Sequence, residues 1–277
     1  MDHITAGTST VPGTVIALHC SGADGRQWRR LRAELGAGYS VQCPDLIGAC
    51  DNAWNGQHAF TLADEVHPIL GLIDAAADGV HLVGHSYGGA VALKAACARP
   101  ERIASLTLYE PIPFQILREL GARADRELAE VEALATLVAA GLLSGTYEYA
   151  AIAFAEDWGG SGGWDALRPA AQAALLRWLP KAPLDFRATL HDTARLADFA
   201  TVACPVLVMQ GALANAPCRT LAQELARSVP HCALEVLPGA GHMGPATHAN
   251  AVITEFAAHI RAATHGAAWP RATAFAA

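Results

Sequence analysis

The sequence predicts an α/β protein, a mostly parallel sheet flanked by helices and interrupted by an all-helical insertion. Short apolar runs bounded by turn residues alternate with helix-period segments over the first third of the chain, as successive βαβ units require. From residue 114 to 199 the pattern changes to Ala/Leu/Glu/Arg-rich helical stretches without a convincing strand. Strand-like runs then return. Because strands on both sides of the block need a common core, the block reads as an insertion between two strands of one sheet, with a separate second domain as the alternative.

In chain order, the strands fall at Thr14–His19, Tyr39–Cys43, Val80–Val83, Ile103–Tyr109, Val206–Met209 and Ala233–Leu237. The helices between and after them are Arg26–Leu35, Leu62–Ala75, Tyr87–Ala98 (stopped by Pro100), Cys218–Ser228 and Ala249–Ala263. Residues 1–113 and 200–264 then form the frame, 114–199 the helical cap, and 265–277, Ala-rich with Gly266 and Pro270, a flexible tail. The run Gly159 to Gly163 reads as a hinge of the insertion or a plain loop.

Composition narrows the function. The chain has 277 residues, 52% hydrophobic and 16% charged, with a net charge of −7, which gives little pull on phosphate backbones or anionic lipid. Nucleic-acid binding is therefore not expected. No apolar run is long enough for a signal sequence or a membrane span, so a cytoplasmic location is expected. The 7 cysteines are scattered without CxxC spacing and there is no HExxH, so reduced thiols and no metal site are expected.

The chemistry concentrates at Gly84-His85-Ser86-Tyr87-Gly88, a G-x-S-x-G that follows the apolar run Val80–Val83 and opens an Ala-rich helical segment. This context puts Ser86 at a strand-to-helix turn, its hydroxyl at the carboxyl edge of the sheet and a helix N-terminus behind it to favour developing negative charge. On these residues the sequence resembles the α/β-hydrolase superfamily, in its serine-nucleophile branch with a helical cap, and the resemblance spans nearly the whole chain. The segment His19-Cys20-Ser21 is similar to the family's His-Gly-x loop, with Cys20 in place of glycine. The resemblance then implies an oxyanion hole from the backbone N–H groups of Ser21 and Tyr87, with His19 bracing the loop and His85 packed beneath the nucleophile. Pro44-Asp45-Leu46-Ile47-Gly48 is similar to a further family turn, with Cys50 where a second glycine is common; a Cys20–Cys50 disulfide is considered and disfavoured.

His242, in Gly239-Ala240-Gly241-His242-Met243-Gly244, resembles the family's catalytic histidine and is the candidate general base. The same stretch matches G-x-G-x-x-G, but Pro245 delays the helix and no βαβ unit follows, so a nucleotide site is not expected. His231, His248 and His259 read as bystanders. The acid departs from the family pattern: Ala214 stands where an aspartate is usual, with neutral Asn215 beside it. Glu110, at the end of the strand after the nucleophile, is the candidate acid, with anchoring of the insertion or a dyad oriented by Asn215 as alternatives.

The resulting expectation is a serine hydrolase of an ester or other activated acyl compound, working through an acyl-enzyme on Ser86, with no cofactor. Carbon–carbon bond hydrolysis, lactone hydrolysis or perhydrolysis by the same residues, and a non-catalytic ligand-binding relative, are the alternatives. The partner is a small, apolar acyl substrate; oligomeric state is not legible. Candidate pocket residues are Trp28, Phe114, Trp158 and Trp164, with Tyr147 and Tyr149 also offered by the insertion.

Overall fold

The computed structural model describes residues 13–56, 58–267 and 269. Its sheet has six strands: β1 (Thr14–Leu18), β2 (Ser40–Gln42), β3 (Val80–His85), β4 (Ile103–Tyr109), β5 (Val206–Gly211) and β6 (Cys232–Leu237). They lie in the order β2-β1-β3-β4-β5-β6, and every pairing is parallel. Each crossover must therefore pass over a face of the sheet, and both faces are covered.

Period-two alternation divides the strand residues between those faces. Ile16, Leu18, Leu82, Leu106, Leu108, Val206 and Val208 point into a large core shared with α2 (Leu62–Ala75) and α3 (Tyr87–Ala98). Val15, Ala17, Val83, Tyr109, Leu207 and Met209 point into a smaller one closed by α1 (Arg29–Leu35) and, at the far end of the chain, a helix whose Phe256 and Ile260 are fully buried. Residues Arg26–Trp28, expected as the first turn of a helix Arg26–Leu35, belong instead to a separate 3-10 turn, Gly25–Trp28, capped by the Asp24 side chain. α2 begins where the sequence places it because Thr61 and Asp64 form a reciprocal capping box.

Between β4 and β5 the described chain is helical: α4 (Gln115–Leu120), α5 (Asp125–Ser144), α6 (Tyr147–Gly159), α7 (Pro169–Trp178) and α8 (Ala182–Leu190). The glycine run is a closed turn packed on α6: Gly163 N–H donates to Gly160 O at 2.8 Å, and a Cβ on Gly163 would stand 2.5 Å from Ala155 O. After β5 come α9 (Ala216–Ser228), β6, the short α10 (Gly244–Thr247) and α11 (Ala249–Thr264). Most of the tail read as flexible lies outside the described residues, and Trp269, which is described, meets the His259 ring edge-on at 5.1 Å. Among the described residues no helix is long and apolar enough to cross a membrane.

Candidate active site

Strand order reverses direction between β1 and β3, and in open parallel sheets the crevice outside the carboxyl ends at such a point is where ligands bind. Four chain segments leave that edge together: the loop after β1 carrying Ser21, the β3–α3 turn carrying Ser86, the end of β4 carrying Glu110, and the loop after β6 carrying His242.

Ser86 sits at the N-cap of α3 with φ +54° and ψ −116°, a conformation a non-glycine residue holds only under constraint from its surroundings, at a cost of about 1–3 kcal/mol. The flanking glycines do not supply the turn's positive φ; Ser86 itself does. What the glycines supply is close approach: a Cβ on Gly84 would stand 2.6 Å from Gly89 Cα, and one on Gly88 2.4 Å from His19 O. Tyr87 is the first residue of α3, so its N–H belongs to the unpaired first turn. In the neighbouring loop the Cys20 N–H donates to Gln27 Oε1 at 3.1 Å, and Ser21 lines the cavity beside Ser86.

His242 Nε2 lies 2.8 Å from Ser86 Oγ, and its Nδ1 2.7 Å from Glu110 Oε2. Glu110 is fully buried with φ +39°, and its other oxygen accepts the Gly211 N–H at 2.7 Å. A carboxylate so placed favours the proton on Nδ1, which leaves Nε2 as an acceptor facing the serine hydroxyl. Asn215 does not take this role: its Oδ1 accepts the Cys218 N–H as the cap of α9, and its Nδ2 reaches Asp157 at 3.3 Å.

Gln27 was not singled out in the sequence, yet it joins the loops. Its Nε2 donates to His85 Nδ1 at 3.1 Å, and His85 Nε2 donates to His242 O at 2.9 Å, so the Ser21 loop, the β3–α3 turn and the His242 loop form one chain of hydrogen bonds. Burial, with the nearby His242, holds His85 well below the ordinary histidine range, so it remains the neutral bridge this pattern needs. His19 Nε2 accepts the Leu46 N–H at 2.9 Å while its Nδ1 donates to Cys20 O, tying the loop to its neighbour. Tyr109 OH donates to Gly241 O at 2.8 Å and steadies the histidine loop from below.

Cys218, read in the sequence only as a reduced thiol at the start of a helix, also reaches the site: its Sγ lies 3.5 Å from His242 Nδ1. Burial and the Glu110 charge push this thiol well above its ordinary range, so it is a neutral S–H. Glu110, Cys218 and His242 bring donor atoms within 4.8 Å of one another. A metal fits them poorly, since the 2.7 Å between Oε2 and Nδ1 is the span of a shared proton, whereas two ligands of a tetrahedral zinc stand about 3 Å or more apart. All seven cysteines, Cys20 and Cys50 among them, are free thiols.

A small cavity opens above Ser86, walled by Phe114, Phe154, Trp158, Trp178 and Phe186. A wider groove leads outward from it between the Ser21 loop and α7, with Arg26, Arg29 and Arg168 along its sides. Of the four expected pocket residues, Phe114 and Trp158 line the cavity, and the Trp158 ring meets that of His242 at a tilt, centroids 4.6 Å apart. Trp28 does not: Trp28, Leu31 and Leu35 form an i, i+3, i+7 stripe turned to α11, where the indole stacks on Phe256 at 5.9 Å in the other core. Trp164 packs against the large core without reaching the cavity, and Tyr147 and Tyr149 are exposed.

Residues 15–255 match the model of the "Alpha/beta hydrolase family". Among curated proteins, the chain is 38% identical over 101 residues to "Lipase LipV" of Mycobacterium tuberculosis, covering 36% of this chain and 38% of that one. It is 32% identical over 108 residues to "Pimeloyl-[acyl-carrier protein] methyl ester esterase" of Aeromonas hydrophila, covering 38% and 40%. The matches thus span about two fifths of those relatives' lengths. Among solved structures, a hydrolase from Pseudomonas aeruginosa superposes with a TM-score of 0.69 at 22% identity, covering 92% of this chain and 91% of that one, a likeness of fold. With the family pattern running from β1 into α11, the chain belongs to the alpha/beta hydrolase family.

Proposed function

We propose that the protein is a serine hydrolase of esters or similarly activated acyl compounds, with Ser86 as nucleophile, His242 as general base and Glu110 as the triad acid. The observation that carries this reading is the unbroken relay of Ser86 Oγ to His242 Nε2 at 2.8 Å and His242 Nδ1 to Glu110 at 2.7 Å, among three buried side chains. In the first step Oγ attacks the acyl carbon as Nε2 takes its proton, and the oxyanion accepts hydrogen bonds from the N–H groups of Ser21 and Tyr87. The imidazolium, held by Glu110, then protonates the leaving group. Water repeats the sequence on the acyl-enzyme, with Nε2 again as base.

The wall of Phe114, Phe154, Trp158, Trp178 and Phe186 supports an apolar acyl group in the inner cavity, and the helices between β4 and β5 act as a cap that supplies this wall. The outer groove would take the leaving group. The curated relatives described above are named as a lipase and a methyl ester esterase, which supports ester chemistry. The test is covalent. A fluorophosphonate should label Ser86 stoichiometrically, short-chain p-nitrophenyl esters should release p-nitrophenol, and Ser86→Ala should abolish both. Failure of both with the folded native protein, together with ligand binding that Ser86→Ala leaves intact, would establish a binding protein instead.

A further inference from the structure

One charged side chain faces the inner cavity. Asp185, on α8 and 5% exposed, lines it beside Ser21 and Thr189, while no Lys or Arg does among the described residues. Its Oδ2 accepts from Ser21 Oγ at 2.7 Å and its Oδ1 from Lys181 Nζ at 2.6 Å. Lys181 stands behind Asp185, away from the cavity lining, and shares its ammonium with Glu65 Oε1, also at 2.6 Å.

The ammonium therefore does not neutralise the cluster. Burial raises Glu65 above the ordinary glutamate range, outweighing the pull of Lys181. Yet three donors meet its two oxygens, Ile47 N–H, Tyr87 O–H and the Lys181 ammonium, an arrangement that suits the carboxylate. Lys181 is held charged: burial disfavours its ammonium, but Asp185 and Glu65 outweigh that and raise it. One ammonium against two carboxylates leaves 1 − 2 = −1, and the member of the cluster that meets the cavity is a carboxylate.

We propose that Asp185 sets the substrate class of this site: the inner cavity admits uncharged acyl groups and rejects acyl groups that carry a carboxylate of their own. This rests on the serine-hydrolase reading. A second negative charge enclosed beside Asp185 loses its water and meets repulsion with no cation to answer it, a penalty worth about a hundredfold or more in kcat/KM. An uncharged polar end of the same size escapes the penalty.

Three p-nitrophenyl esters of equal chain length separate charge from polarity and size: the hexanoate, the adipate half-ester and its neutral terminal amide. The native enzyme should disfavour the adipate by about a hundredfold against both others, and Asp185→Asn, which keeps an acceptor for Ser21, should raise the adipate-to-amide ratio of kcat/KM about tenfold or more. Equal hydrolysis of adipate and amide overturns the proposal, as does an unchanged ratio in Asp185→Asn. The adipate-to-amide comparison on the native protein decides the matter even where that variant fails to fold. Absence of fluorophosphonate labelling together with no hydrolysis of any ester overturns the hydrolase reading, and this inference with it, whereas equal turnover of all three overturns this inference alone.

Discussion

Replacing Glu110 by glutamine tests the assignment of the acid with little change of shape. The carboxylate accepts two hydrogen bonds, from Gly211 N–H at 2.7 Å and from the His242 Nδ1 side at 2.7 Å, and an amide has one oxygen to serve both. If that oxygen stays on Gly211, the NH2 group faces Nδ1 and drives the imidazole proton to Nε2, where it points at Ser86 Oγ and the ring can no longer take the serine's proton. If the amide turns over, two N–H donors confront each other at Gly211, which costs about 1–3 kcal/mol for the unmet buried donor. The inactive tautomer thus prevails by about one or two powers of ten. The turned-over minority must still form an imidazolium without its counter-charge; two unit charges about 4 Å apart at an effective dielectric near 20 attract by about 4 kcal/mol, or about a further thousandfold. Together these give a kcat lowered by about 10⁴ to 10⁵, with KM little changed and the guanidinium unfolding midpoint near that of the parent. The assay is p-nitrophenyl butyrate turnover beside a denaturation curve. A variant that unfolds like the parent and keeps kcat within about tenfold of it would remove Glu110 from the triad.

Acid should weaken the fold through two buried histidines. Burial lowers His81 and His259 to about 4 from an ordinary 6.5, so the unfolded chain binds the extra protons; their contribution, about 3 kcal/mol each, is present above pH 6.5 and lost as pH falls towards 4. Urea midpoints across that range should fall steeply for the parent and less for His81→Gln, and equal slopes would contradict the assignment. Gly88→Ala should cost about 3 kcal/mol and most of the turnover, because its Cβ would meet the backbone oxygens of His19 and Leu18 at 2.4 and 2.5 Å. Gly71→Ala, on the open face of α2 with nothing within 4 Å, should instead stabilise by about 0.5–1 kcal/mol. Thermal unfolding of the pair checks both signs.

Local patterning carried the frame into view wherever one residue's environment is set by its near neighbours. Leu62–Ala75, Tyr87–Ala98 and Ile103–Tyr109 have the bounds the sequence implies, since a capping box, a G-x-S-x-G turn and a short, mostly apolar run each act within a few residues. β3 runs on through Gly84 and His85, where a glycine and a polar ring read as a turn, because Gln27 and His242 O satisfy that ring from distant loops. Trp28 shows a different limit: periodicity tells that a helical residue is buried but not on which side of the sheet, and its indole lies in the other core. The Ser21–Asp185 and Glu65–Lys181 contacts join residues 164 and 116 positions apart, so only the folded chain brings the second buried charge cluster together.

The position of the acid is set by sheet geometry more than by chain position. β4 and β5 are neighbours in register from Leu106↔Val206 to Tyr109↔Met209, so the ends of both strands open onto the same face of His242. An acid can reach Nδ1 from Glu110 on the first strand, or from the start of α9, which follows the second. Cys218 marks that second approach, with Sγ 3.5 Å from Nδ1. An aspartate there would put its carboxyl carbon near the present sulfur, and its oxygens, about 1.2 Å further on, within hydrogen-bond reach. In a Glu110→Gln background, Cys218→Asp restores one buried carboxylate to the site and leaves its charge as in the parent. The double variant should regain at least about tenfold in kcat over Glu110→Gln alone, because the new carboxylate again favours Nδ1–H and steadies the imidazolium. Cys218→Asp by itself should lower the unfolding midpoint, since two carboxylates would then crowd one imidazole and one must take up a proton. A folded double variant no faster than Glu110→Gln would mean that His242 answers to the exact seat of its partner, and that the approach from α9 is closed.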